Sequence, residues 1–434
     1  MSENNNLIVN ESRSLLGTIQ IPGDKSISHR SVILGSLAEG SLTINNFLHS
    51  DDCLCTISAM KQLGANISVD RKKISIIGQG LFSLTEPKKT IDAGNSGTLI
   101  RLLAGVLATQ KFPSHLTGDS SLRNRPMDRI IKPLIDCGAD IDSDRFKAPL
   151  KINPKNKFSS IVYKQKIASA QIKSCLMLAA LFIEGKHIFY EKIPTRDHTE
   201  NLLQHFGYDV NRTEHELVMV GQQRLIAKDI EIPSDISSAA FFIVAALISE
   251  GSDILIPNVS INQYRTGIVT VLKKMKAQIN LKNVRIKSNE KIADIEVKYS
   301  KLESINIEGN IISSLIDELP ILFIACAVSD GISNISGIEE LRYKESDRIK
   351  SMEEGLKSIG INVSSTRDSI KIRGGEITGG KVKSYGDHRI AMSFAIAGIV
   401  SKKSITISDT KNISTSFPNF VDLLREQEVN IFEI

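Results

Sequence analysis

Leu63-Gly64-Ala65-Asn66-Ile67 and Cys137-Gly138-Ala139-Asp140-Ile141 are two copies of one local pattern, a glycine turn that ends a helix and hands the chain to a strand. Related endings stand at Phe206-Gly207-Tyr208-Asp209-Val210, Lys276-Ala277-Gln278-Ile279, Ile359-Gly360-Ile361-Asn362-Val363 and Glu428-Val429-Asn430-Ile431. Spaced roughly 65–85 residues apart, they imply six related repeats. Each repeat opens on a small or polar turn that runs into an apolar helix. The openings are Gly23, Ala93-Gly94-Asn95-Ser96-Gly97-Thr98, Ile167-Ala168-Ser169-Ala170-Gln171, Pro233-Ser234-Asp235-Ile236-Ser237-Ser238, Ile316-Asp317-Glu318-Leu319 and Gly386-Asp387-His388-Arg389. Strand, helix, strand, helix and strand in each repeat predict an α/β protein. Three repeats per domain is the simple division, with a boundary near Pro233 to Ser237 and helix N-termini meeting in a cleft between the domains.

A chain of 434 residues exceeds what one hydrophobic core usually supports, which agrees with two domains. Hydrophobic content of 41% and charged content of 24% argue against disorder. A net charge of +5 and a pI near 8.7 suit anionic small molecules but are too weak to argue for nucleic acid. The absence of tryptophan further weakens a base-stacking surface. The five cysteines form no CxxC pair, so the reading is a reducing compartment without structural zinc. No HExxH, Walker A or GxGxxG motif is present. Met1 to Asn6 carry no leader pattern and no apolar run reaches membrane-spanning length, so a cytoplasmic protein without membrane contact is expected.

The chemistry gathers at the repeat openings. Gly23-Asp24-Lys25-Ser26-Ile27-Ser28-His29-Arg30 sets cations and hydroxyls at a helix start, where unpaired N–H groups and the dipole favour anions. Asn95, Gly97, Thr98 and Arg101, then Ser169 and Gln171, then Asp317, then His388 and Arg389 stand at other openings. Loops before the second helices add Arg123, Arg125, Lys344, Glu345 and Arg348. Such a set fits substrates bearing phosphate and carboxylate groups, because arginine pairs with both in a fork and lysine adds a compact charge. Asp317 and Glu345 are the candidate acid/base pair. Taken singly each reads as a structural ion pair, and their joint place in the fifth repeat is what raises them.

The segments Gly23 to Arg30, Gly94-Asn95-Ser96-Gly97-Thr98 with Arg101, Arg125-Pro126-Met127, Ser169-Ala170-Gln171, Leu341-Arg342-Tyr343-Lys344-Glu345-Ser346-Asp347-Arg348 and Asp387-His388-Arg389 closely resemble the EPSP synthase (3-phosphoshikimate 1-carboxyvinyltransferase) family. The resemblance covers nearly the whole chain. It implies two similar domains, each of three βαβαββ repeats in an inside-out α/β barrel. Residues 1–22 with 237–434 would form one domain and 23–236 the other, with the active site in the cleft between them. The implied reaction moves the carboxyvinyl group of phosphoenolpyruvate to the 5-hydroxyl of 3-phosphoshikimate and releases phosphate, without metal or cofactor, in a monomer. By the same resemblance, Lys25, Ser26, Arg30, Ser169, Ala170, Gln171, Arg196, Asp317 and Lys344 would hold 3-phosphoshikimate. Lys25, Asn95, Gly97, Arg125, Gln171, Arg348 and Arg389 would hold phosphoenolpyruvate, while Asp317, Glu345 and Lys25 would be catalytic.

Three details resemble the second branch of that family, the first being Ser169-Ala170-Gln171. Ser414-Thr415-Ser416-Phe417-Pro418 lacks the lysine that the other branch carries before Phe-Pro, and Lys411 lies upstream. Thr195-Arg196-Asp197-His198-Thr199-Glu200 supplies Arg196. Branch members with alanine in place of Gly97 are linked with tolerance of glyphosate, so glyphosate is an expected competitor of phosphoenolpyruvate. The alternatives are the sister carboxyvinyltransferase acting on UDP-N-acetylglucosamine, and a non-catalytic module for phosphorylated ligands or RNA ends. Against the first, Leu116 to Arg123 holds no cysteine; against the second, a binding module has no need of Asp317 and Glu345.

Overall fold

The computed structural model describes residues 6–70 and 73–434; residues 1–5, which include most of the stretch read for a leader, and 71–72 lie outside the described residues. The six closing turns share one geometry. The residue after the helix cap has positive φ at Gly64 (90°), Gly138 (115°), Gly207 (81°), Lys276 (71°), Gly360 (92°) and Glu428 (58°). Glycine adopts this left-handed conformation without a Cβ clash, whereas Lys276 and Glu428 bear its cost. In the first turn the N–H groups of Gly64 and Ala65 donate to the carbonyls of Lys61 and Met60, at 3.1 and 3.0 Å. In the last, Glu428 and Val429 donate to Arg425 and Leu424, at 2.9 and 3.0 Å, and the other four repeat this spacing. The pattern satisfies carbonyls that a helix end would otherwise leave unpaired.

Among the described residues, the strands named here form six four-stranded sheets. In each sheet an edge strand runs parallel to the strand that follows the repeat's first helix. That strand pairs antiparallel with a third. Three sheets are completed from distant parts of the chain. Ile230–Glu231 runs parallel to Glu39–Asn45, and Leu16–Thr18 parallel to Asp253–Ser260. Leu7–Val9 lies between Ile405–Ser408 and Ile431–Glu433, antiparallel to both.

Two compact units result. The C-terminal unit comprises the described residues up to Pro22, Ser234–Arg285 and Lys291–Ile434; the N-terminal unit comprises Gly23–Pro233 and Ile286–Glu290. The boundary therefore falls at 233/234 instead of 236/237. The reason is local: Ser234 N–H donates to the Asn258 carbonyl, and Asp235 caps the helix Ile236–Ile248 by accepting from Ser237 N–H at 2.8 Å. Residues 286–290 count with the N-terminal unit because Ser288 accepts from Glu231 N–H, Asn289 donates to Gln204, and Glu290 pairs with His198.

The first helices form the centre of each unit. All thirteen residues of Ile236–Ile248 and all nine of Leu319–Ala327 are buried, as expected of helices apolar on every side. Together with His388–Ile399 they pack against one another in the C-terminal unit. In the N-terminal unit Gly97–Leu107 packs on both Lys25–Leu37 and Ala170–Ala180. A Cβ on Gly105 would lie 2.0 Å from the Cys175 carbonyl oxygen, so the absent side chain lets these two backbones meet. Each unit thus has helices inside and sheets outside. Among the described residues no helix is long and apolar enough to cross a membrane.

Candidate active site

In the N-terminal unit, Asp24 is buried and caps Lys25–Leu37 through Ile27 N–H at 2.8 Å. This fixes the first turn, so Lys25 is placed with its Nζ 2.5 Å from Asp52 Oδ2 on the helix Asp51–Gln62. One turn on, the buried His29 sets its Nδ1 2.5 Å from the Thr56 hydroxyl. Burial, then the charges of Lys25 and Arg30, hold its pKa well below the ordinary histidine range, so it is neutral at pH 7. Arg30 donates to the Thr199 and Ser174 hydroxyls, each at 2.8 Å, and to the Ser26 carbonyl at 2.9 Å.

The second and third repeats of this unit supply two hydrogen-bonded chains of polar side chains. Arg125 donates to Asn95 Oδ1 at 2.7 Å, and Asn95 donates to Asp119 at 2.7 Å. Arg101 donates to Gln171 Oε1 at 2.8 Å, and Gln171 donates to the Thr98 hydroxyl at 3.1 Å. Gly97 sits under both arginines, since a Cβ there would lie 2.8 Å from Arg101 Nη1 and 3.1 Å from Arg125 Nη1. Ser169, the cap residue of Ala170–Ala180, makes no side-chain capping bond. Ser169, Ala170 and Arg196 are half-buried. Arg123 turns away, donating to the Gly118 carbonyl at 2.7 Å.

In the C-terminal unit the site residues gather around Arg348, which is 1% exposed. Its Nε and Nη2 donate to the buried Asp387 carboxylate at 2.8 and 3.3 Å, and Nη2 also meets Glu345 at 2.6 Å. Nη1 has no hydrogen-bond partner and lies 3.8 Å from Asp317. Burial works against the charge of Arg348, but Asp387, Glu345 and Asp317 outweigh it and hold the guanidinium protonated more firmly than usual. Asp317 also meets Lys344 Nζ at 3.3 Å, and its carbonyl accepts from Arg389 Nη1 at 2.8 Å. Asp387 caps His388–Ile399 through Arg389 N–H at 2.9 Å, so one carboxylate holds Arg348 and starts the helix bearing Arg389. Lys411 is exposed, and Asn412 beside it donates to the Gly386 carbonyl just before this helix.

Within each unit the structure therefore draws most of the candidate residues together: Lys25 and Arg30, then Asn95, Gly97, Arg125 and Gln171, in one; Asp317, Lys344, Glu345, Arg348 and Arg389 in the other. Sequence reasoning did not single out Asp52, Asp387, Ser174 or Thr199. A signal existed for two of them. Ser50-Asp51-Asp52 is an N-cap signature, and Asp387 heads the quoted Asp-His-Arg triplet. The hydroxyls of Ser174 and Thr199 meet Arg30 only through tertiary packing.

Known proteins match this chain along almost its full length. The family model for EPSP synthase (3-phosphoshikimate 1-carboxyvinyltransferase) matches residues 9–424. A 3-phosphoshikimate 1-carboxyvinyltransferase of Coxiella burnetii is 47% identical over 422 residues, 97% of this chain and 96% of the relative. One from Legionella pneumophila is 47% identical over 408 residues, 94% of each chain. A solved structure of EPSP synthase from Acinetobacter baumannii superposes with a TM-score of 0.89 at 42% identity, covering 99% of this chain and all of that one. With the repeat geometry and the clustered cations and carboxylates, these matches establish that the chain belongs to the EPSP synthase family.

Proposed function

We propose that the protein transfers the carboxyvinyl group of phosphoenolpyruvate to the 5-hydroxyl of 3-phosphoshikimate and releases inorganic phosphate. The observation that carries this reading is the grouping of Asp317, Glu345, Lys344 and Arg389 around the buried Arg348, in a chain 47% identical to enzymes of that name. Lys25, Ser26, Arg30, Ser169, Ala170, Gln171 and Arg196, with Asp317 and Lys344, are assigned to 3-phosphoshikimate. Lys25, Asn95, Gly97, Arg125, Gln171, Arg348 and Arg389 are assigned to phosphoenolpyruvate. The rigid hydrogen bonds already made by Arg30, Arg125 and Arg348 support these assignments, because donors fixed beforehand need little reorganisation when charge develops.

In this mechanism Asp317, beside Lys344 and Arg348, takes the 5-hydroxyl proton as the oxygen attacks C2 of phosphoenolpyruvate. Glu345 gives a proton to the methylene carbon, which becomes a methyl group in a tetrahedral intermediate. The C2–O bond to phosphate then breaks, the methyl group returns a proton, and the vinyl group re-forms. Lys25, Arg125 and Arg389 offset the charge of the departing phosphate. Glyphosate competes with phosphoenolpyruvate in this scheme. We further assign the chain to the second branch of the family, on Ser169-Ala170-Gln171, Arg196 and Ser414 to Pro418, and read it as a cytoplasmic monomer.

The test is phosphate release by the purified protein. Release is expected only when 3-phosphoshikimate and phosphoenolpyruvate are both present, and Lys25→Ala is expected to remove nearly all of it. Release with UDP-N-acetylglucosamine in place of 3-phosphoshikimate, or from neither pair, would overturn the reading.

A further inference from the structure

Thr195-Arg196-Asp197-His198-Thr199-Glu200 is fastened at both ends to one buried group of charges. Lys173, on Ala170–Ala180, is 2% exposed; its Nζ lies 2.7 Å from Glu200 Oε1 and 3.1 Å from Glu191 Oε1. Arg212 spans the same two carboxylates, with Nη2 2.7 Å from Glu191 and Nη1 2.9 Å from Glu200. Glu191 accepts from the N–H and hydroxyl of Thr195, at 3.2 and 2.7 Å, and Lys173 donates to the Thr195 carbonyl at 3.2 Å. Glu200, at the far end of the segment, is itself a member of the group. Between these ends Thr199 accepts from Arg30 Nε and donates to the Ser174 hydroxyl, each at 2.8 Å. Arg196 and Asp197 are half-buried while the other four residues are buried.

A lysine and two carboxylates withdrawn from water roughly break even against apolar residues of the same volume, so stability alone is a weak reason for this arrangement. Geometry is a better one. A segment held at positions 195 and 200 has little freedom at the four residues between them, and those include both Arg196 and the hydroxyl that orients Arg30. We propose that the Lys173–Glu191–Glu200–Arg212 group positions this segment for recognition of the phosphorylated alcohol substrate. The inference rests on the assignment of Arg30 and Arg196 to 3-phosphoshikimate made above. The four charged residues act through Thr195, Arg196 and Thr199, as positioning residues.

Thr195→Val tests this with least disturbance, since it removes the hydroxyl bond to Glu191 and leaves the volume and all four charges. A hydrogen bond to a charged group of this kind corresponds to roughly a tenfold change, so the KM for 3-phosphoshikimate should rise about tenfold. The KM for phosphoenolpyruvate and kcat should stay within about twofold, and Thr195→Ser should restore the wild-type value. Arg212→Lys, at a site 20% exposed, should raise the same KM by loosening the bidentate span. A general weakening of the fold would move both KM values together. Equal change in both, or an unchanged KM for 3-phosphoshikimate in Thr195→Val, overturns the proposal. Arg196→Ala measured alongside separates the two levels. If it raises the KM and Thr195→Val does not, the positioning role fails alone; if neither raises it, the assignment of Arg196 fails as well.

Discussion

Arg30 and Arg348 are both buried helix residues, 4% and 1% exposed, and they are held in opposite ways. Arg30 donates to two hydroxyls and a backbone carbonyl. Arg101 and Arg125 do the same with Gln171 and Asn95. Arg348 instead faces Asp387, Glu345 and Asp317, and Lys344 also meets Asp317. Neutral partners orient a guanidinium without cancelling its field, whereas carboxylates compensate its charge. Three carboxylates thus surround the buried guanidinium of Arg348, whereas hydroxyl, amide and carbonyl oxygens orient Arg30, Arg101 and Arg125.

The largest effect that would sharpen this contrast is expected at Asp317. Asp317→Asn keeps the size of the side chain and its reach to Lys344 but removes the basic oxygen. Loss of a general base typically costs about 10²- to 10⁴-fold, so kcat should fall by roughly 10³-fold. Binding of 3-phosphoshikimate, measured calorimetrically, should change by only a few-fold, because the amide keeps the polarity and size of the side chain and the cations assigned to this substrate are untouched. Normal turnover, or a loss confined to binding, would erase the contrast.

Asp387 offers the next effect, on stability. Its carboxylate is fully buried and holds Arg348 through Nε at 2.8 Å. Asp387→Asn leaves a buried cation short of one partner, a change that costs about 3–5 kcal/mol in comparable pairs. Chemical denaturation at pH 7 should show that loss. Burial opposes ionisation of Asp387, yet Arg348 overcomes it and lowers its pKa below the ordinary 3.8. The folded protein therefore holds the ionised form more tightly than the unfolded chain does. That contribution is complete above about pH 3.8 and is lost as the pH falls through the lower folded value. Wild type should then lose stability more steeply than the variant on acidification, and the two curves should converge. Parallel curves would show that Arg348 does not depend on Asp387. No comparable acid-linked loss is expected from replacing the hydroxyls around Arg30.

These contrasts were legible in the sequence to different depths. The helix starts at Lys25, Gly97, Ile236 and His388 follow from a capping Asp or Ser before an apolar run, which is local information. Four closing turns announce themselves by glycine, while Lys276 and Glu428 adopt the same φ because the backbone bonds around them demand it. Nothing in Leu7-Ile8-Val9 states that it pairs with Ile405–Ser408 nearly 400 residues away; only the family resemblance placed it. The cations of the candidate site were visible because they recur at successive repeat openings and fall within motifs that resemble the family's. Their partners were not: Asp52 lies on the next helix, and Thr199 meets Arg30 across 169 residues. Which partners a buried cation meets is a property of packing, and that is what separates Arg30 from Arg348.

Gly97 gives the smallest effect and the finest test of how Arg101 and Arg125 are aimed. It is the first residue of Gly97–Leu107, with φ outside the left-handed region, so alanine is tolerated by the backbone and gains helix propensity. The new methyl group would press on the guanidinium ends of Arg101 and Arg125, at 2.8 and 3.1 Å, which are flexible enough to shift by a few tenths of an ångström. Melting temperature should hold or rise slightly. The KM for phosphoenolpyruvate should rise by about two- to fivefold, since the charges remain and only their aim changes. Glyphosate has a longer chain between phosphonate and carboxylate than phosphoenolpyruvate has between its two anionic groups, and it should lose more than the substrate does. Inhibition measured at several phosphoenolpyruvate concentrations reads both quantities. If Gly97→Ala weakened both ligands equally, the arginines would be acting as a diffuse field; if the inhibitor alone suffers strongly, the fixed aim that Gln171 and Asn95 give them is what the site uses.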